Sequence, residues 1–418
     1  MDPWGSADGS GPTSATDPPG ESGADTEDTD TSSADDPAGV ACGCTPAEAF
    51  PNVWIANDVG GTVSKIDAET MEIRGRFVTR ADGLGRPVST AVSIDGSAVA
   101  VSNFAGGLLK IWARPDLCDA NLNTLAGLQT SVNGAPMAWG TDECVDWYAP
   151  LGFTSQVALA WGPGDLDPMT CEYVDQVVWT AGCFTNSDAS ATVVRVNGDD
   201  GSPLGDTVLS GFPCDEGTPT LGAVDRDGGF WLANTTPGNE RLARVSAQGN
   251  LTLFEVPPLV PAGIAIDAEG MVWLSANNGS GPTTAARFDP MSFVWTFADN
   301  LVARGNSGLV EDDYGHMWLS YAIHPQGAVG TAWGGATYVD TETLHVGPPA
   351  SLGCAAGHCT GISIDFAGRV WSTSAVDGRV YRYDPESSAV ATIEDIQVSP
   401  YSSDLSGWAL HNAACPGN

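Results

Sequence analysis

Residues 221–231 read Leu-Gly-Ala-Val-Asp-Arg-Asp-Gly-Gly-Phe-Trp, and the phrase returns three times. It is Gly-Ile-Ala-Ile-Asp-Ala-Glu-Gly-Met-Val-Trp at 263–273, Gly-Leu-Val-Glu-Asp-Asp-Tyr-Gly-His-Met-Trp at 308–318 and Gly-Ile-Ser-Ile-Asp-Phe-Ala-Gly-Arg-Val-Trp at 361–371. Each copy sets an apolar run, an Asp-x-x-Gly turn and a second apolar run carrying tryptophan, which is the pattern of a β-hairpin. Glycine tolerates positive φ and aspartate bonds local backbone, so both residues serve the turn.

A third strand follows each hairpin and ends in a base, an apolar residue and usually an acid, as in Lys65-Ile66-Asp67, Arg287-Phe288-Asp289 and Arg382-Tyr383-Asp384. Looser forms are Arg195-Val196-Asn197, Arg244-Val245-Ser246 and Tyr338-Val339-Asp340. A fourth strand alternates, as over Leu251 to Val256 or Phe293 to Phe297. Four antiparallel strands recurring at such intervals make a propeller blade. Three weaker units, around Trp54, Ala100 and Trp179, bring the number to seven; Ala100 stands where the other six carry tryptophan (Trp54, Trp179, Trp231, Trp273, Trp318, Trp371). Inter-blade packing is the role expected of these tryptophans.

The first unit lacks an innermost strand, and Gly407-Trp408-Ala409-Leu410 shares the phase of Gly361-Ile362-Ser363-Ile364. The expectation is an all-β fold: a seven-bladed β-propeller of four-stranded antiparallel blades over 42–418, closed by this C-terminal strand, which would remove the open sheet edge. Residues 113–154 exceed a hairpin connection and are expected as an insertion between blades two and three, with Trp139, Trp147 and Tyr148 offering an aromatic contact surface on a disulfide-stapled flap.

Val53-Trp54-Ile55-Ala56-Asn57 and Gly61-Thr62-Val63-Ser64-Lys65-Ile66-Asp67 resemble the repeat of YVTN-type propellers. The Asp-x-x-Gly-x-x-Trp units are similar to those of NHL-type and streptogramin B (virginiamycin B) lyase-like propellers. The resemblance covers residues 52 to about 410 and implies a fold, since such repeats encode blades and not a chemistry. In the lyase-like group it also implies magnesium, histidine and a glutamate three positions after the repeat tryptophan. Here those positions hold Asn57, Asn103, Gly182, Asn234, Ala276, Tyr321 and Ser374. None is glutamate, so no catalytic residue is carried over.

Composition restricts the partners. Fifty-two acids against 16 bases give a net charge of −36, which argues against nucleic acid and anionic membrane. Residues 1–41 hold no Lys, Arg or His and include Thr26-Glu27-Asp28-Thr29-Asp30; this is the composition of a disordered, self-repelling acidic tether. It resembles the spacers of bacterial surface lipoproteins, which implies a lipid anchor through a removed N-terminus. Met1 is followed directly by Asp2-Pro3-Trp4, so an export signal is expected to have been removed. Ten cysteines, an even number, point to an oxidising location: extracellular, cell surface or periplasm. No stretch is long and apolar enough to span a membrane.

Local spacing pairs Cys118 with Cys144 and Cys354 with Cys359. Ring closure brings Cys415 near Cys42 or Cys44, while Cys171, Cys183 and Cys214 cluster in blade three with the pairing open. The loops leading to the channel face carry the candidate ligand-binding residues His324, His358, Asn57, Asn103, Asn234 and Tyr321. No transition-metal, haem or nucleotide motif is present, and no cofactor or metal is expected. The reading is therefore a monomeric, secreted or cell-surface scaffold that binds a partner protein or small ligand. One alternative is a lyase- or lactonase-like enzyme with a divalent metal at the channel, where His324 and His358 share a face. The other is a structural surface-coat component.

Overall fold

The computed structural model describes residues 51–123, 125–170, 172–214, 219–235, 240–276, 285–298, 308–321, 334–354, 359–400 and 404–415. The acidic segment 1–41, Cys42, Cys44, Cys171, His324 and His358 lie outside them. Residues 38–418 form a compact unit by themselves.

That unit is a seven-bladed propeller. Blade four shows the plan: Leu221–Val224, Phe230–Ala233, Arg241–Val245 and Leu251–Glu255 pair antiparallel in chain order, innermost strand first. Blade five begins at Pro261–Ile266, blade six at Leu309–Glu311 and blade seven at Gly361–Ile364. Blade two runs from Pro87–Val92 to Val145–Ala149, and blade three from Ser155–Trp161 to Pro203–Leu209 with an extra hairpin, Asp165–Asp167 and Glu172–Val174, between its first two main strands. Blade one has only Asn52–Asn57, Thr62–Asp67 and Ile73–Val78. All six repeat tryptophans are buried in the core.

The base of the third strand has a definite task. Trp54 faces Lys65 across the pair, Trp179 faces Arg195, Trp231 faces Arg244, Trp273 faces Arg287 and Trp371 faces Arg382. Each cation sits 5.8 or 5.9 Å from its indole centroid, within cation–π range. Four of these cations then reach a carbonyl of the next blade. Lys65 Nζ donates to Ala113 O at 2.6 Å, and Arg195 and Arg287 donate to Ala247 O and Thr341 O. Arg382 donates to Ala68 O and Glu69 O, both at 2.7 Å, which bridges blade seven to blade one across the seam of the ring.

Closure differs from the expected strand. Gly407–Leu410 is not a strand of blade one; Trp408–Ala414 is a helix, α1. Gly407 starts it in the left-handed region (φ +88°), and a Cβ there would lie 2.5 Å from Ser93 O, so the turn into the helix needs glycine. The innermost position of blade one is filled earlier and irregularly. Trp54 N donates to Leu405 O and Ser399 N donates to Ala56 O, both at 2.9 Å. The shared Gly-x-x-x phase misleads because Asp404 and Ser406 turn the chain out of the sheet before residue 407 is reached.

The long segment expected between blades two and three also lies elsewhere. Val145–Ala149 is the fourth strand of blade two, so residues 113–144 connect that blade's third and fourth strands. Cys118 is bonded to Cys144, and Asp142 accepts from Thr130 Oγ1, Ser131 N and Cys144 N. Trp147 is buried and donates from Nε1 to Gly198 O at 3.0 Å, while Trp139 packs edge-on against Tyr148. The three aromatics pack inward within the molecule and do not form one exposed contact surface.

Candidate functional site

The innermost strands surround a cavity of about 500 Å³ on the propeller axis. Small residues set its width, because strands crowd near the axis. A Cβ on Gly308 would fall 2.7 Å from Ile362 Cγ2, so blade six meets blade seven closely only with glycine there. The wall is mostly apolar: Leu159, Ala160 and Trp161 of blade three, Leu221 to Val224 of blade four, Pro261 to Ile266 of blade five, Leu309 and Val310 of blade six, and Ile362 of blade seven.

Helix α1 closes one end, and its Ala409 and Leu410 line the cavity. It sits on the face carrying the turns between first and second strands. Trp408 and His411 pack against Phe366, in the Asp365 turn of blade seven. Trp408 Nε1 donates to Glu311 O at 2.8 Å and Asn412 Nδ2 to Glu311 Oε2 at 2.7 Å. The same Oε2 accepts from Ala268 N in the Asp267 turn of blade five. Glu311 therefore joins two blades to the helix. Burial, with Asp267 nearby, pushes its carboxyl up to about 7. Burial also pushes the His411 imidazole down.

Cys415, directly after the helix, is disulfide-bonded. Cys118–Cys144, Cys183–Cys214 and Cys354–Cys359 account for six of the ten cysteines. Cys42, Cys44 and Cys171 lie outside the described residues.

One ionisable side chain stands in the cavity wall. Asp404 Oδ1 accepts from Gly407 N at 3.0 Å and Ser406 N at 3.2 Å, and burial pushes its carboxyl up to about 6 despite those donors. The wall's other polar groups include the Thr220, Thr235, Thr360 and Ser363 hydroxyls and the Trp161 indole. This arrangement can hold a small, largely apolar molecule and meet it with a few directed polar contacts.

Four of the sequence candidates, Asn57, Asn103, Asn234 and Tyr321, lie among the described residues. Asn57 gives its amide to Thr62 Oγ1 and Ser64 Oγ, and Asn103 is tied to Thr79 and Gly107. Asn234 donates its backbone N–H to Arg241 O. Tyr321 is fully buried, its hydroxyl bonded to Ala350 O and held well above its ordinary pKa by burial. None of these four lines the cavity. Among the described residues no group of three or more His, Cys, Asp or Glu could hold a metal ion. The cavity residues escaped sequence reading because Ala, Ile and Leu on an inner strand look like ordinary core. The unusual tryptophan at 161 and glutamate at 311, where other blades carry valine or isoleucine, were the available signal.

Comparison with known proteins agrees on fold. No protein-family model and no curated protein matches the chain. A functionally unknown protein from Desulfotomaculum acetoxidans is similar with TM-score 0.56 at 12% identity, over 83% of this chain and 96% of that one. The hydrazine synthase of Kuenenia stuttgartiensis is similar with TM-score 0.54 at 13% identity, over 77% and 90%. Virginiamycin B lyase from Staphylococcus aureus gives TM-score 0.47 at 14% identity, over 76% and 88%. At these identities the likeness is one of fold alone.

Proposed function

We propose that the protein is an extracytoplasmic binding propeller whose ligand occupies the central channel. The observation that carries this reading is the channel itself: an apolar cavity of about 500 Å³, floored by α1 and walled by the inner strands of several blades. A mere packing defect would be expected to collapse or fill; here a buried glutamate and a disulfide hold the floor in place. The described disulfides support a location outside the reducing cytosol.

Titration with the neutral dye Nile red tests the reading. Saturable binding should appear in the full chain and be lost in Ile264→Trp, which fills the cavity from blade five. Dye binding that is indifferent to this substitution would place the site elsewhere. A stoichiometric divalent metal retained through purification and lost on His324→Ala or His358→Ala would favour the enzyme alternative instead.

A further inference from the structure

Among the described residues the channel wall includes no Lys, Arg or His, and its one acid is Asp404. Asp404 stands just ahead of α1, where its backbone oxygen accepts from Thr90 Oγ1 of blade two at 3.1 Å. It keeps partial exposure while Leu405, Ser406 and Gly407 after it are buried, and it borders the cavity. No described ion pair includes it. Three of the motif aspartates, by contrast, each meet a basic side chain: Asp225 meets Arg244 at 2.6 Å, Asp365 meets Arg369 at 2.9 Å and Asp312 meets His316 at 3.1 Å.

What Asp404 does for the backbone does not require its charge. Its Oδ1 accepts from Ser406 N and Gly407 N, which shapes the turn into α1, and asparagine or serine would serve such a turn as well. Those donors are neutral, as are the Val92 N–H and the Ser363 hydroxyl that also reach the carboxyl group. They solvate a carboxylate without cancelling it, and a lone charge beside an apolar space carries a desolvation cost. Burial accordingly raises the carboxyl to about 6, so that above pH 6 the carboxylate is the main form. The group the wall lacks is a counter-ion. The net charge of −36 favours a cation over an anion on approach to the channel as well.

We propose that the channel ligand is a small, mainly apolar molecule carrying one amine, whose ammonium group is the counter-ion of Asp404 while its hydrocarbon body lies against Ile264, Leu309 and Ile362. This rests on the reading of the channel as the binding site. The cavity volume of about 500 Å³ is in the range of pockets that enclose such molecules. A hydrogen bond between two ionised groups is also the strong kind, and an apolar wall strengthens it further.

Three probes of similar shape separate the outcomes: 2-naphthylethylamine, 2-ethylnaphthalene and 2-naphthylacetate. Each is measured by equilibrium dialysis at pH 8 and moderate salt against the full chain, Asp404→Asn and Ile264→Trp. The amine should lose about tenfold or more in affinity in Asp404→Asn, the scale of one charge-assisted hydrogen bond. The hydrocarbon should bind both proteins alike, which also reports that the variant's cavity is intact. The acetate should bind the full chain least and gain in Asp404→Asn. The preference for amine over acetate in the full chain is read without that variant, so it stands as a test even if Asp404→Asn fails to fold. If Asp404→Asn leaves the amine unchanged or weakens amine and hydrocarbon equally, or if the acetate binds the full chain tightest, the ligand class is wrong. Loss of every probe in Ile264→Trp would then leave the channel reading standing. An amine held equally by Ile264→Trp is attracted by the net charge and not by the channel, which overturns the proposal. If no probe binds the full chain, or Ile264→Trp binds the hydrocarbon as well, the channel reading itself fails and the ligand class with it.

Discussion

Blades four to seven and blades one to three follow one strand plan but secure their tryptophans differently. In the first group the motif aspartate does two jobs. One oxygen accepts backbone N–H groups two and four residues on, which makes the turn, as Asp365 Oδ1 does from Ala367 and Arg369. The other accepts the indole N–H six residues on: Asp225 from Trp231, Asp267 from Trp273, Asp312 from Trp318 and Asp365 from Trp371, all at 2.7 or 2.8 Å. In the second group no such aspartate is in place. Trp54 and Trp179 leave their N–H groups unbonded among the described residues, and blade two replaces tryptophan by Ala100, so that Lys110 opposite it turns to Asp146 at 3.0 Å and stacks 3.6 Å from Trp112. The regular arc is thus built by one repeated carboxylate. The irregular arc is built by particular solutions, and it holds the extra hairpin, the long crossover and the seam.

The largest effect should come from removing that carboxylate. Asp365→Ala strips acceptors from Trp371 Nε1, two backbone N–H groups and Arg369 Nε together. A loss of about 3 kcal/mol or more is expected by denaturant unfolding, because buried donors are left unpaired. Asp95→Ala in blade two, where the carboxylate's hydrogen bonds go to Ser93 and Ser97 among the described residues, should cost about 1 kcal/mol. Equal losses would erase the distinction between the two arcs.

Glu311 is the departure within the regular arc, and pH isolates it. Its carboxyl is raised from 4.5 to about 7, so the folded protein holds a proton that the unfolded chain has released over that interval. Stability from this group is fully present below pH 4.5 and is lost as pH rises through 7, by an amount on the order of 3 kcal/mol. Glu311→Gln keeps an acceptor for Asn412 and Ala268 without the titration. Between pH 5 and 8 the wild-type melting temperature should therefore fall more steeply than that of the variant. Parallel slopes would mean that Glu311 is ionised, or solvated, throughout.

The repeated aspartate explains how far sequence reading goes. The apolar run, Asp/Gly turn and tryptophan spell out the hairpins of blades four to seven in local order, and weaker copies of the repeat extend the pattern to seven blades from residues 52 to 393. The bond from Asp365 to Trp371 was hidden because the turn already accounts for an aspartate at that place. The role of Arg382 was hidden for another reason: its carbonyl partners, Ala68 and Glu69, are more than three hundred residues away and meet it only when the ring is closed. Closure at Leu405 and the helix at Trp408–Ala414 were misread because a four-residue apolar pattern does not distinguish a strand from a short buried helix. The cavity was least legible of all. Its wall is made of the same small and branched residues that fill a packed core, and only the blade-to-blade register singles out Trp161.

The smallest predicted effect tests the contrast most directly, because the two substitutions are chemically identical. Trp371→Phe and Trp179→Phe each shorten a buried ring under a third-strand arginine, Arg382 in one case and Arg195 in the other, and each removes an indole N–H. The lost packing and weakened cation–π contact are common to both and should nearly cancel in the comparison. What remains is the hydrogen bond. At Trp371 the change removes a donor from Asp365 Oδ2 and leaves that buried oxygen to Arg369 alone. At Trp179 it removes a donor that had no acceptor, which relieves a burial cost and offsets part of the lost packing. Trp371→Phe should therefore be the more destabilising by about 1.5 kcal/mol, read as a difference in denaturation midpoint at unchanged m. If the two variants are equally stable, the unbonded indole of blade three has an acceptor in solution, and the arcs differ in sequence without differing in energy.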